Sequence, residues 1–147
     1  AGTASGRIEG IKDSFRVATR KPLVGHGLGT SIEANFNYSG KALRAHNLYA
    51  ETAQEIGFVG LVIFLFYMKA IIMNFLESYR YLKHHRDEYN YLFRIAEAML
   101  IWMAMNLVFS FASYGLSSYE WYLFGGLSVV LLNLSEQLAA KRVNEEA

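Results

Sequence analysis

His46 and Asn47 stand side by side in the stretch ALRAHNLYAETAQEIGFVGL, just before a long apolar run. An imidazole titrates near neutrality, so a histidine there can take a proton from a sugar hydroxyl and hand it on. A structural hydrogen bond is the other role open to it. Four arginines, Arg7, Arg16, Arg20 and Arg44, share the N-terminal third with it. A guanidinium stays charged and grips phosphate bidentately, so one or two of these suit a phosphorylated, lipid-anchored substrate, the rest being solvated charges. No metal is implied: the position four residues after His46 is Ala50, and the chain contains neither Asp-x-Asp nor a Gly-x-Ser-x-Gly elbow. The absence of cysteine excludes disulfides and thiol chemistry. A net charge of +1 with mixed signs offers no basic face for nucleic acid.

The elements that must position these groups follow from periodicity. Residues 7 to 20 place Ile8, Ile11, Phe15 and Ala18 at spacings of three and four, which predicts an amphipathic helix with those residues on its apolar face. Lys21-Pro22 stops it, and Gly25, Gly27 and Gly29 follow in a flexible segment, GHGLGT, where backbone can turn sharply or approach a ligand closely. The spacing is GxGxG after a helix and proline, not the GxGxxG after a strand of a dinucleotide site. The next helix is expected to begin near Ala42 and run straight into the first apolar stretch. His46, Tyr49 or Ala50, and Ala53 would then share a face, with Glu51 and Glu55 one turn apart. His46 would lie roughly two to three turns before the apolar run.

With 53% hydrophobic residues the chain is too apolar to be disordered, and its apolar residues are concentrated after residue 55. Ile56 to Leu76 carries a single charge, Lys69, in 21 residues, enough to cross a hydrocarbon core ~30 Å thick. Ala98 to Tyr119 has no charge, and Trp121 to Ser135 is shorter but flanked by the interfacial aromatics Tyr119 and Trp121. Three spans are expected, at 56–76, 95–116 and 121–136. The 77–94 segment between the first two holds Arg80, Lys83, Arg86 and Arg94, whereas the short loop 117–120 has no Lys or Arg. The positive-inside tendency makes 77–94 and the 137–147 tail cytoplasmic, and residues 1–55 extracytoplasmic. This charge pattern argues against a soluble helical bundle. Lys69 reads as snorkelling to the interface, Arg94 as a partner for Glu97 three residues on, and Asn74, Asn106 and Asn133 as helix-to-helix hydrogen-bonding positions. Phe36, Tyr38 and Tyr49 could stack on sugars or sit at the interface. The fold class expected is all-α: a multi-pass integral membrane fragment of three transmembrane helices and a helical extracytoplasmic loop.

Ser5-Gly6-Arg7, then Pro22-Leu23-Val24-Gly25-His26-Gly27-Leu28-Gly29-Thr30, then His46-Asn47-Leu48-Tyr49, Glu55-x-Gly57 and Gly60-Leu61 resemble the bacterial O-antigen ligase and polymerase superfamily. The order and spacing are similar to its large periplasmic loop and the membrane helix that follows, over residues 5 to 66; Ile11 stands where members often have tryptophan. The resemblance implies a metal-independent, C-type glycosyltransferase of the bacterial inner membrane, with residues 1–55 periplasmic. It would move a glycan from undecaprenyl diphosphate to a hydroxyl of the lipid A core or another glycan. His46 would be the catalytic base; Arg7 would hold the donor diphosphate, and Arg44 and Asn47 are further substrate-binding candidates. Partners would be the lipid-linked donor, the acceptor and membrane lipids, with no cofactor and no nucleic acid. Family members have more spans and further functional arginines upstream, so this piece alone is expected to be inactive. The alternatives are a repeat-unit polymerase of the same superfamily, or a non-enzymatic membrane transporter or assembly protein.

Overall fold

The computed structural model describes residues 4–40, 46–113 and 115–146, the side chains of residues 4, 5, 7 and 146 excepted. Five helices follow in order: α1 (Ala4–Ala18), α2 (Ser31–Ser39), α3 (Leu48–His84), α4 (Asn90–Phe109) and α5 (Tyr119–Glu146). No strand occurs among the described residues. Three of the helices, α3, α4 and α5, are long and apolar enough to cross a membrane. α3 and α5 hold the expected runs 56–76 and 121–136 and continue well past them, to His84 and Glu146, whereas α4 ends at Phe109, short of the expected 95–116 span. Only residues 85–89 separate α3 from α4, so most of the expected 77–94 loop is helical.

The chain divides into two compact units, one of Ala1–Phe66 with Asn106–Ser118 and one of Tyr67–Met105 with Tyr119–Ala147. In the first, α1 starts near where periodicity places it and ends at Ala18, just before Lys21-Pro22, and of the expected apolar face it buries Ala18 but not Ile8 or Phe15. Gly10, Ser14, Val17 and Ala18 are buried, whereas Ile8 and Phe15 are exposed. Small side chains let α2 approach closely, and the Asn35 amide donates to Ser14 Oγ at 3.4 Å. The helix α2 itself was not signalled by apolar spacing. It follows Thr30, carries Glu33 in its first turn, where the helix dipole favours an acid, and ends on Gly40 in the left-handed conformation.

In the second unit, Ile71, Phe75, Leu82, Phe93, Ala96, Met103 and Phe124 form the interior. Phe124 meets Phe75 edge-on at 6.3 Å and Trp102 at 4.7 Å between ring centroids. Tyr67 donates its hydroxyl hydrogen to the Trp121 carbonyl at 2.8 Å, reaching across a surface where Gly125 offers no Cβ to obstruct it. The Asn74 amide donates to Ser128 Oγ at 3.3 Å, the helix-to-helix role its type and place predict. Arg94 likewise pairs with Glu97 at 2.8 Å. Ile101, Met105, Val129 and Val130 remain exposed, an arrangement suited to a hydrocarbon solvent rather than to water. Lys69 also lies on the exposed surface of its helix.

Candidate functional site

The site is assembled where α3 begins. Asn47 is the N-cap of that helix: its Oδ1 accepts from the Ala50 N–H at 2.9 Å, and its Nδ2 donates to the Phe111 carbonyl at 3.1 Å. The Leu48 N–H donates to the Ser110 carbonyl at 2.9 Å, so the helix start is tied to the segment that follows α4. Tyr49 stacks on Phe111 at 5.1 Å, and burial raises its phenol pKa. Ala42, where the helix is expected to begin, lies outside the described residues, but His46 and Asn47 are not helical and α3 begins at Leu48. His46 precedes the helix, exposed, with a backbone φ of +45° that non-glycine residues rarely adopt. The cap explains the difference: asparagine satisfies the orphan amide and ends the helical register there.

Asn47, Glu51 and Glu55 stand four residues apart, which places them in one row along α3. Each grips backbone from elsewhere in the same unit. Glu51 Oε2 accepts from the Gly115 and Leu116 N–H groups at 2.7 and 3.2 Å. Glu55 accepts from Gly29 N–H at 2.9 Å and from Ser31 N–H at 3.3 Å, the second in the first turn of α2. Both carboxylates are buried, at 8% and 4% exposure, so these charge-assisted bonds replace water that the side chains have lost. Gln54, fully buried, donates Nε2 to the Ser31 carbonyl and to Asn35 Oδ1, while its Oε1 is without a partner among the described residues.

The glycine loop is closed onto a break in α3. Gly57 has φ 76° and ψ 177°, which interrupts the helical ladder. In an unbroken helix the Gln54 carbonyl would accept from Phe58 N–H. Instead Phe58 N–H donates to the Pro22 carbonyl at 2.7 Å, while the Gln54 and Glu55 carbonyls accept from His26 and Gly27 N–H, each at 2.9 Å. A Cβ on Gly25 would collide with the Glu55 carbonyl, and one on Gly57 with the Leu23 carbonyl; both glycines also have positive φ. The two glycines are thus needed for the same close approach of backbone to backbone. His26, expected in a flexible segment, is held in place, its Nε2 3.0 Å from the Val17 carbonyl.

Between these grips lies a polar cavity of about 240 Å³, lined by Glu51 and Glu55 together with Gly29, Ser31, Gly115, Ser117 and Ser118. Two carboxylates and three serine hydroxyls make it a lining for a hydroxyl-rich or hydrated guest rather than for an apolar one. Among the described residues, no group of three or more His, Asp or Glu residues could hold a metal ion.

Of the sequence-derived site residues, Asn47 and His46 are adjacent at the start of α3, with both ends of the Asn47 amide bonded to backbone. Arg7 lies within α1, with its side chain outside the described atoms, and Arg44 lies outside the described residues. The sequence marks Glu51 and Glu55 only as a pair one turn apart. The signal that could have singled them out is the Asn-x-x-x-Glu-x-x-x-Glu row on a helix just before its apolar run, since a buried carboxylate needs donors and glycine-rich segments supply them. Arg20 packs over the Tyr38 ring at 4.5 Å, so that ring has a cation on one face. Comparison of the chain with family models, with curated proteins and with solved structures returns no match.

Proposed function

We propose that the chain is part of an O-antigen ligase-like glycosyltransferase of the bacterial inner membrane, with residues 1–55 on the periplasmic side. The observation that carries this reading is the lock between the P-L-x-G-x-G-x-G-T segment and the E-x-G segment. Three backbone hydrogen bonds, from Phe58 to Pro22, His26 to Gln54 and Gly27 to Glu55, account for both motifs at once. Glu55 is common to the two, since its carboxylate also holds Gly29 and Ser31. Two of the segments through which the sequence resembles the superfamily thus belong to one built structure, on the helix that His46 precedes.

In this reaction the acceptor hydroxyl loses its proton to the His46 imidazole as its oxygen attacks the anomeric carbon of the lipid-linked glycan. The bond from that carbon to the diphosphate oxygen breaks, and undecaprenyl diphosphate leaves with the electron pair. Arg7 and Arg44 offset the charge that develops on the departing diphosphate. Asn47 acts as a positioning residue: by capping α3 and binding the Phe111 carbonyl it fixes the backbone from which His46 projects. The hydroxyl-lined cavity beside Glu51 and Glu55 suits sugar hydroxyls or the water around them.

Replacing His46 by alanine in the complete enzyme is expected to abolish glycan transfer, measured with lipid-linked donor and core acceptor, while membrane insertion is retained. Transfer at the parental rate by that variant overturns the assignment of the base. Arg7→Lys keeps the charge but loses the bidentate fork, and is expected to lower the rate and weaken donor binding. Glycan profiling of cells lacking the gene separates two superfamily activities: polymer stranded on the carrier lipid indicates a ligase, whereas absence of polymer indicates a polymerase.

A further inference from the structure

A second recess lies in the other unit, at the end of the first membrane-length helix. It is an open groove of about 510 Å³ lined by Leu76, Tyr79, Arg80, Lys83 and His84, all from α3. Their spacing of three and four places them on one face. The order of chemistry along this face is apolar, aromatic, then cationic. Leu76 ends the apolar run, Tyr79 is half-buried, and Arg80, Lys83 and His84 are exposed. The ammonium of Lys83 is 5.9 Å from the centroid of the Tyr79 ring, so the ring bears on the same cationic cluster. The Nδ1 atom of His84 is 2.8 Å from the Arg80 carbonyl, which leaves its Nε2 as the ring nitrogen available to a guest.

Among the described residues, no acid forms an ion pair with Arg80 or Lys83. Glu88 is bonded to Arg142 at 2.8 Å and also accepts from the Tyr89 hydroxyl, which raises the Tyr89 pKa. Glu77 is one turn before Arg80 but forms no ion pair with it among the described residues. Arg80 and Lys83 are in no ion pair there either, although Arg94 and Lys141 on the other helices of the unit each have a glutamate.

We propose that this groove binds the headgroup phosphate of an anionic phospholipid, with the glycerol and upper acyl carbons against Tyr79 and Leu76. Charge complementarity selects an anion, and the apolar end of the same groove selects one that carries a lipid. A guanidinium and an ammonium one turn apart give one bidentate and one point contact to phosphate. The placement fits the depth: a helix that has just crossed ~30 Å of hydrocarbon puts its next turns at the headgroups. The proposal rests on α3 crossing a membrane and is independent of any glycosyltransferase reading.

The test uses the 147-residue chain in detergent micelles, titrated with phosphatidylglycerol, phosphatidylcholine or inorganic phosphate, with bound molecules counted by native mass spectrometry. Phosphatidylglycerol is expected to be retained in preference to phosphatidylcholine, and inorganic phosphate is expected not to displace it. Arg80→Gln and Lys83→Gln should each weaken phosphatidylglycerol binding about fivefold, and the double variant about 30-fold. Glutamine is a good helix former and both sites are exposed, so helix content by circular dichroism should not change. Lys141→Gln, on α5 and away from the groove, should leave binding unaltered. Equal retention of the two phospholipids, displacement by inorganic phosphate, or undiminished binding by the double variant overturns the proposal.

Discussion

At the residue scale, the buried polar side chains of α3 organise the N-terminal unit by accepting backbone hydrogen bonds that no helix or strand supplies. Glu55 serves Gly29 and Ser31, and Glu51 serves Gly115 and Leu116. Glu55→Gln turns one acceptor oxygen into a donor facing an N–H, and should cost about 1.5–3 kcal/mol. Hydrogen exchange locates the effect: the Gly29 and Ser31 amides should lose protection while Gly115 and Leu116 keep theirs. Glu51→Gln should give the opposite pattern. Uniform loss of protection in both variants would refute separate roles for the two carboxylates. The sequence reveals these glutamates as neighbours on one face, but not what they hold. Their partners are backbone amides 24 to 65 positions away, and an amide has no signature in residue type. The same limit applies to Asn47, which is an asparagine beside a histidine in sequence and a helix cap tied to Phe111 in the structure.

At the element scale, α3 combines two requirements within one helix: a polar, gripped first part and an apolar remainder. Gly57 separates them. Gly57→Ala would place a methyl group in a left-handed backbone region and against the Leu23 carbonyl, and should destabilise the N-terminal unit by about 2–4 kcal/mol. Gly126→Ala, in α5 with open space where its Cβ would lie, should stabilise its helix by up to about 1 kcal/mol. Denaturant titrations of the two variants in the same detergent check both signs, and a neutral Gly57→Ala would remove the need for the break. The three apolar helices were legible because a membrane-length run needs nothing but composition. The buried side of α1 was legible only in part: apolar spacing selects Ala18, which is buried, but also Ile8 and Phe15, which are exposed, and misses Gly10, Ser14 and Val17. The helix α2, nine residues with asparagines and serines, has too little apolar periodicity to announce itself. Local chemistry marks it instead, through Glu33 in its first turn and Gly40 at its end.

At the scale of the whole molecule, the arrangement across the membrane follows from charge. The end of α3, the turn after it and the start of α4 carry Arg80, Lys83, Arg86 and Arg94, and the end of α5 carries Lys141 and Arg142, the basic residues expected of cytoplasmic segments; the turn and α5 are joined by Arg142 and Glu88. If all three helices cross, the proposed topology puts that turn and the C-terminal tail on one side and residues 1–55 on the other. The native chain has no cysteine, so a single introduced thiol reports its own location without background. Asn37→Cys, Asp87→Cys and Asn144→Cys each replace an exposed residue, one in α2, one in the α3–α4 turn and one near the end of α5. A membrane-impermeant maleimide applied to intact spheroplasts should label Asn37→Cys at once, and the other two only after permeabilisation. α5 is the critical element, because its expected apolar run, 121–136, is shorter than the 56–76 run of α3. If α5 lay along the surface instead of crossing, Asn144→Cys would be labelled together with Asn37→Cys while Asp87→Cys stayed protected. If the orientation were reversed, Asp87→Cys and Asn144→Cys would react first. The latter outcome would also place His46 on the cytoplasmic side, and a transfer reaction at the periplasmic face would then be impossible for this site.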